Sequence, residues 1–379
     1  VKFSLTSEQE LIQKTAREFA AKEIAPFSAE WDREARFPKE VVAKLAELGF
    51  MGMNVAEEYG GAGLDALSYI LAVEEISRAD ASVGVIMSVN NSLTCWPIDA
   101  YGTPEQKERW LVPMARGEHL GAFCLSEPQA GTDAAAQKTT AKKTDRGWVL
   151  NGTKNWITNG ASADTLVLMA MTDMSLGHKG ISAFIVDAHA PGVGIAHTEH
   201  KMGIRASDTA QMTFDDVEVG EDQLLGGVGK GFRVAMSTLD GGRIGIAAQA
   251  LGIGQAALDH AVAYAREREQ FGRPIAKFQA IQFKLADMAS RLEAARLLTY
   301  RAAWTKDQTP RHSTESAMAK YMASTTAVYC AEEAVQIFGG NGYSKEYPVE
   351  KLMRDAKICD IYEGTTEVQK MVVGASLLA

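Results

Sequence analysis

The hydrophobic period changes twice along this 379-residue chain, and those two changes limit the fold more than any single motif. Up to about residue 120 the apolar residues recur at helical spacing. Thr6-x-x-Gln9 and Ser7-x-x-Glu10 are candidate capping boxes ahead of the stripe Ile12, Ala16, Phe19 and Ala20. A second helix is expected from Pro38, with Val41, Val42, Leu45 and Leu48 on one face and Gly49 as its stop. Tyr59-Gly60-Gly61-Ala62-Gly63 reads as a loop. Helical patterns resume over 66–78 and 82–95, then after Thr103-Pro104. From Gly121 short β-type runs take over, at 122–126, 148–150, 156–158, 165–171, 181–186 and 210–214. Past the Gly-rich loop 226–231 the helical period returns, predicting helices over 232–269, 278–305 and 313–338, with shorter ones at 348–356 and 365–376.

The order is α, then β, then α: an α+β chain with a helical domain over 1–120, a β domain over 121–226 and a helical domain over 227–379. Alternating βαβ units are absent, which argues against a Rossmann nucleotide fold. Two segments satisfy G-x-G-x-x-A, but 61–66 follows no strand and 252–257 lies inside a helical pattern. Gly229-Lys230-Gly231 fails the P-loop test because no Ser or Thr follows the Lys.

A net charge of −9 with no compensating basic stretch speaks against nucleic-acid binding. No apolar run approaches the roughly 20 residues of a membrane span. The four cysteines, Cys95, Cys124, Cys330 and Cys359, are far apart and form neither a disulfide framework nor a zinc site; no metal is expected. Val1-Lys2-Phe3-Ser4-Leu5-Thr6 has neither a signal peptide's apolar segment nor a transit peptide's arginines. The expected location is cytoplasmic, with a processed mitochondrial matrix form left open.

Three segments carry candidate chemistry. In Phe123-Cys124-Leu125-Ser126-Glu127-Pro128-Gln129-Ala130-Gly131-Thr132-Asp133 a strand ends in a loop of small and hydroxyl residues, able to present N–H groups to a polar ring; taken alone, an ordinary strand and turn with a capping Asp fits better. In Asn155-Trp156-Ile157-Thr158-Asn159-Gly160, Trp156 and Thr158 should share one strand face, as an aromatic plate beside a hydrogen bonder or as a core Trp. In Asp360-Ile361-Tyr362-Glu363-Gly364-Thr365-Thr366-Glu367 a carboxylate stands between Tyr and Gly just before a helix that Thr365 or Thr366 can cap. Placed in an apolar pocket, such a carboxylate is prepared as a general base; on a surface it is a turn residue.

Together and in this order, the three segments resemble the acyl-CoA dehydrogenases over the whole chain. Gln336-Ile337-Phe338-Gly339-Gly340-Asn341-Gly342-Tyr343 with Arg354-Asp355-Ala356 is similar to that family's second signature. The resemblance implies a barrel-like or orthogonal β domain between an all-α domain and a C-terminal four-helix bundle. It implies FAD as cofactor and oxidation of an acyl-CoA thioester to a trans-2-enoyl-CoA, with Glu363 taking the α-proton and the β-hydrogen leaving as hydride to flavin N5. The backbone N–H of Glu363 and a ribityl hydroxyl would polarise the thioester carbonyl. Phe123, Leu125, Ser126, Gly131, Thr132, Trp156, Ile157 and Thr158 would line the flavin, with Thr158 near N5. Arg268 would meet the pyrophosphate with Phe271 and Gln279 close by; Gln336, Ile337, Gly339 and Gly340 would approach the FAD from a neighbouring subunit. Thr365 and Glu367 complete the cofactor set. Thr132, Asp240, Arg243, Tyr362 and Gly364 would contact substrate. In some members the base sits on the helix at the place matching Gly242 or its neighbour; Gly cannot abstract a proton, so Glu363 is favoured.

The resemblance also implies a homotetramer, a dimer of dimers, and electron-transferring flavoprotein as acceptor. The segment 84–93 and the stretch 239–251 are similar to the short-chain, butyryl-CoA branch, whereas Trp96 departs from it and leaves branched- or medium-chain substrates open. No Arg lies between Ala79 and Tyr101, which weighs against a glutaryl-CoA enzyme. Glu363 speaks against a nitroalkane oxidase or flavin monooxygenase on the same fold. The intact base, flavin strand and Arg268 speak against a non-catalytic assembly protein.

Overall fold

The computed structural model describes residues 4–378; Val1–Phe3, part of the run read for a leader, lie outside them. The N-terminal helices are α1 (Ser7–Phe19), α2 (Ser28–Glu34), α3 (Lys39–Glu47), α4 (Ala66–Ala79), α5 (Ala81–Ser88), α6 (Trp96–Tyr101), α7 (Pro104–Gln106) and α8 (Val112–Ala115). Of the two candidate boxes before α1, Thr6–Gln9 is the one that forms. The hydrophobic pattern gives no sign of α2, because a single apolar side chain, Trp31, anchors it to the core.

Between α5 and α6 the backbone passes through a π-helical turn, Val89–Cys95. The widened turn points two buried amides sideways. Asn90 Nδ2 donates to Met51 O (2.8 Å) while its Oδ1 accepts from Gly121 N (2.8 Å). Asn91 donates to Phe50 O and accepts from Met53 N, both at 2.8 Å. The helix that begins at α5 is thereby locked to the first strand of the β domain, a use of π turns common at functional positions.

The strands are β1 (Gly121–Cys124), β2 (Thr140–Thr144), β3 (Gly147–Thr158), β4 (Thr165–Met171), β5 (Ile181–Asp187), β6 (Val193–Thr198), β7 (Thr209–Val219) and β8 (Leu224–Leu225). One half runs β6-β7-β3-β2; the other holds β1, β4, β5 and β8, and the two meet at the single pair Thr140–Met171. β4 is buried along its whole length because its two faces serve different cores. Leu166, Leu168 and Ala170 pack inside the β domain, and Val167, Met169 and Met171 pack against the helices. The expected runs 148–150 and 156–158 are one 12-residue strand with two bulges. β2 and β6 escape the apolar pattern because both are largely exposed; Ala141 is the one buried residue of β2.

The C-terminal domain consists of α9 (Gly231–Glu267), a short hairpin of β9 (Glu269–Gln270) and β10 (Arg273–Pro274), then α10 (Gln279–Gln308), α11 (Ser313–Phe338), α12 (Val349–Ile358) and α13 (Thr366–Leu378). α9, α10 and α11 pack lengthwise, and α13 lies on α11. α4 also lies along α9. Gly252 permits that approach: a Cβ there would overlap Glu74 O of α4. The G-x-G-x-x-A string at 252–257 is thus a helix-packing feature.

Candidate active site

α12 ends at Ile358, and seven residues later Thr365 caps α13, its Oγ1 accepting from Val368 N at 3.3 Å. Between them Glu363 (φ +52°) and Gly364 (φ +92°) both take left-handed backbone. For a glutamate this is an uncommon conformation that surrounding contacts must hold. Gln369 Nε2 donates to Glu363 O (3.3 Å) and Gly364 O (2.9 Å), and Lys320 Nζ donates to Gly364 O at 2.6 Å. The turn delivers the Glu363 carboxylate against Gly242 of α9, where a Cβ would overlap Oε2 and lie 2.7 Å from Leu93 Cδ2. Among the described residues Oε2 has no hydrogen-bond partner. Burial pushes the carboxyl up to about 7, against the opposing pull of Lys320 and Arg243.

One turn along α9 from Gly242, a Cβ at Gly245 would lie 2.5 Å from Ser88 Oγ and 2.8 Å from Tyr69 OH. Tyr69 is buried and shares a 2.9 Å hydrogen bond with Ser88 Oγ. Arg243 is buried too, bonded through Nη1 to Asp240 Oδ1, while the other Asp240 oxygen accepts from Ser313 Oγ. The Tyr362 hydroxyl donates to Gln249 Oε1, and Gln249 Nε2 donates to Ala81 O at 2.8 Å. Tyr362 is therefore left with its ring and backbone to offer a substrate.

The β domain contributes a second group. Asn155 N donates to Ser126 O (2.8 Å), drawing the loop after β1 beside the bulge in β3. At that bulge Trp156 (φ +61°) is 59 % exposed while Ile157 is buried in the β core, so Trp156 and Thr158 stand on the side away from it. Phe123 and Leu125 are buried beneath; Gly131 and Thr132 are exposed, and a Cβ at 131 would meet nothing. Lys154, wholly buried, shapes this loop from inside by donating to Leu125 O (3.0 Å), Glu127 Oε1 (2.9 Å) and Gln137 Oε1 (3.1 Å). Although burial opposes it, Lys154 holds the Glu127 carboxylate down at about 2.

A third group lies elsewhere. Arg268, Phe271 and Gln279 are exposed around the β9–β10 hairpin, with Phe271 93 % exposed at φ +52°. Gln336, Gly339 and Gly340 are exposed at the end of α11, and Ile337 is buried. Tyr264 stacks on Phe338 at 3.9 Å, which puts both clusters at one end of the bundle. Along α9, Arg268 is about 40 Å from Gly242 at 1.5 Å per residue. Glu367 is exposed in the first turn of α13.

Five residues of these networks stand in no candidate segment of the sequence: Tyr69, Lys154, Gln249, Lys320 and Gln369. For Lys154 a signal exists, since it falls in phase with Trp148 and Leu150 on the inward side of a strand.

Family models match the chain in three consecutive parts: the acyl-CoA dehydrogenase N-terminal domain over residues 6–118, the middle domain over 122–217 and the C-terminal domain over 229–378. The chain belongs to the acyl-CoA dehydrogenase family, and it is an enzyme of that class. Its relatives point to the short-chain kind. It is 54 % identical over 374 residues to the short-chain specific acyl-CoA dehydrogenase, mitochondrial, of Bos taurus, covering 99 % of this chain and 91 % of the relative. The structure of butyryl-CoA dehydrogenase from Megasphaera elsdenii superposes with a TM-score of 0.99 at 51 % identity, over 100 % of both chains. A chain of the Acidaminococcus fermentans structure described as "Electron transferring flavoprotein of Acidaminococcus fermentans: Towards a mechanism of flavin-based electron bifurcation" gives 0.99 at 52 %, again over 100 % of both.

Members of the family use FAD. The residues present fit a flavin: an exposed indole held by a strand bulge, a hydroxyl loop tied beside it, and an open glycine position. Among the described residues no helix is long and apolar enough to cross a membrane, and no group of three or more His, Cys, Asp or Glu is placed to hold a metal ion.

Proposed function

We propose that the protein dehydrogenates a short-chain acyl-CoA to its trans-2-enoyl-CoA, with Glu363 as the base for the α-proton. The observation that carries this reading is the buried, unpartnered Oε2 of Glu363, held by a strained turn and packed against a residue without a side chain. A carboxyl near 7 is matched to proton abstraction close to neutral pH. Bound FAD supplies the acceptor for the β-hydrogen. Ser126, Thr158 and Trp156 would hold the flavin ring, with Phe123, Leu125, Gly131, Thr132, Ile157, Thr365 and Glu367 around it. Thr132, Asp240, Arg243, Tyr362 and Gly364 would orient the substrate, and binding of the acyl chain would exclude water from the carboxylate.

Arg268, Phe271, Gln279 and the Gln336–Gly340 stretch are too far along the bundle to complete a compact site in their own chain. They would serve the FAD of a neighbouring subunit in a homotetramer. The exposed Phe283, Leu297 and Trp304, on one stripe of α10, support such an assembly. The likeness to the Acidaminococcus chain, from a structure of an electron-transferring flavoprotein, supports such a flavoprotein as the acceptor. The family-model spans support domain limits at 120/121 and 226/227.

The test is an anaerobic titration of the purified protein with butyryl-, isobutyryl- and octanoyl-CoA, following the visible flavin band. Bleaching by butyryl-CoA, and none after Glu363→Gln, is expected. A yellow protein that none of the three bleaches would overturn the substrate assignment.

A further inference from the structure

Three lysines are almost completely buried, and two of them are paired. Lys154 meets Glu127 at 2.9 Å; Lys351 meets Asp355 at 2.6 Å and Asp80 at 3.1 Å. Lys320, with no exposed surface at all, has no carboxylate within ion-pair distance among the described residues. Among the described residues the one hydrogen bond of its Nζ goes to the Gly364 carbonyl. Burying an ammonium against a single neutral acceptor is expensive, and a Met of similar length would fill the same space without that cost.

We propose that Lys320 is a positioning residue: its ammonium pins the left-handed Glu363–Gly364 turn and presents an uncompensated positive charge to the side of the site where the carboxylate works. The bond falls on the carbonyl of Gly364, directly beside Glu363, which as a non-glycine residue at φ +52° is the strained one of the two positions. Gln369 shares that carbonyl but is neutral. The other cation near the carboxylate, Arg243, is already bonded to Asp240. The remaining titratable groups facing the pair are Tyr362 on the loop, Cys359 and Asp360 after α12, and Tyr69 from α4. A free cation there favours the ionised base before reaction and the negative charge a thioester gains as its α-proton leaves.

The inference rests on Glu363 being the base. Its test compares pH profiles of reductive turnover for the wild-type holoenzyme, Lys320→Met, Lys320→Gln and Glu363→Gln. Removing the cation raises the pH at which Glu363 ionises, so both lysine variants should lose the acid side of the profile by about one pH unit, a tenfold loss below the limb. Lys320→Gln keeps a donor for Gly364 O and should retain more of the plateau rate than Lys320→Met. Lys320→Arg, which restores the charge, should move the limb back. An unmoved limb and unchanged plateau in Lys320→Met, beside an inactive Glu363→Gln, would overturn this proposal and leave the base assignment standing. An active Glu363→Gln would remove both. Failure of Lys320→Met and Lys320→Gln alike to fold would make Lys320 a structural residue and overturn the positioning role.

Discussion

A side chain at position 242 and the carboxylate of Glu363 compete for the same space: a methyl group on Gly242 would overlap Oε2. The helix gives up a residue so that the loop can bring its acid to the centre. Gly242→Ala should therefore displace the carboxylate, lowering turnover about 100-fold, while the protein keeps its flavin. Steady-state rates and the visible spectrum of the same preparation check this together.

The pH dependence follows from the burial of Glu363. Its carboxyl ionises at about 7, above the ordinary 4.5, so activity of the free enzyme should fall as pH drops through about 7. The stability sign is opposite. The contribution is fully present below about 4.5 and is lost as pH rises through about 7. Glu363→Gln carries no charge at any pH, so its melting temperature should gain on the wild type between pH 5 and pH 8. Its turnover should be lower by roughly 10²- to 10⁴-fold.

Chain length should be set one helical turn from the base, where Gly245 faces Tyr69 OH and Ser88 Oγ. These hydroxyls form a polar wall about 4.5 Å beyond Gly242 along α9. Tyr69→Ala should raise the octanoyl-to-butyryl ratio of kcat/KM about tenfold or more. An unchanged ratio in a folded variant would place the wall elsewhere.

Phe283 and Trp304, each 60 % exposed, lie on the same stripe of α10. If a neighbouring subunit covers them and supplies Arg268 to the cofactor, Trp304→Asp should yield smaller particles that have also lost FAD. Sedimentation velocity and the ratio of visible to ultraviolet absorbance measure the two losses in one sample.

Much of this was legible in the sequence because it depends on period and punctuation. The long helices α9, α10 and α11 begin and end within a few residues of the expected positions, since Gly and Pro mark their ends. The loop around Glu363 stood out as a candidate, with a surface turn residue as its alternative. What stayed hidden is of another kind. The bulge that turns Trp156 outward arises from pairing with β7, and β2 and β6 are held by neighbours more than by apolar faces of their own. Lys154, Lys320 and Gln249 hold their loops across 17 to 113 positions of sequence, which no local pattern encodes.

Asp80 caps α5 through Ser82 N and Val83 N and meets Lys351 of α12, whose next turn supplies Asp355 to Ile204 N. α5 leads to Ser88 and Leu93, and α12 leads to Glu363. One buried knot is therefore the common datum from which both walls of the site are surveyed. Wear at that datum would be read as lost chemistry in a protein whose outline had not changed, and inherited damage there would look like a defect of the catalyst while being one of alignment.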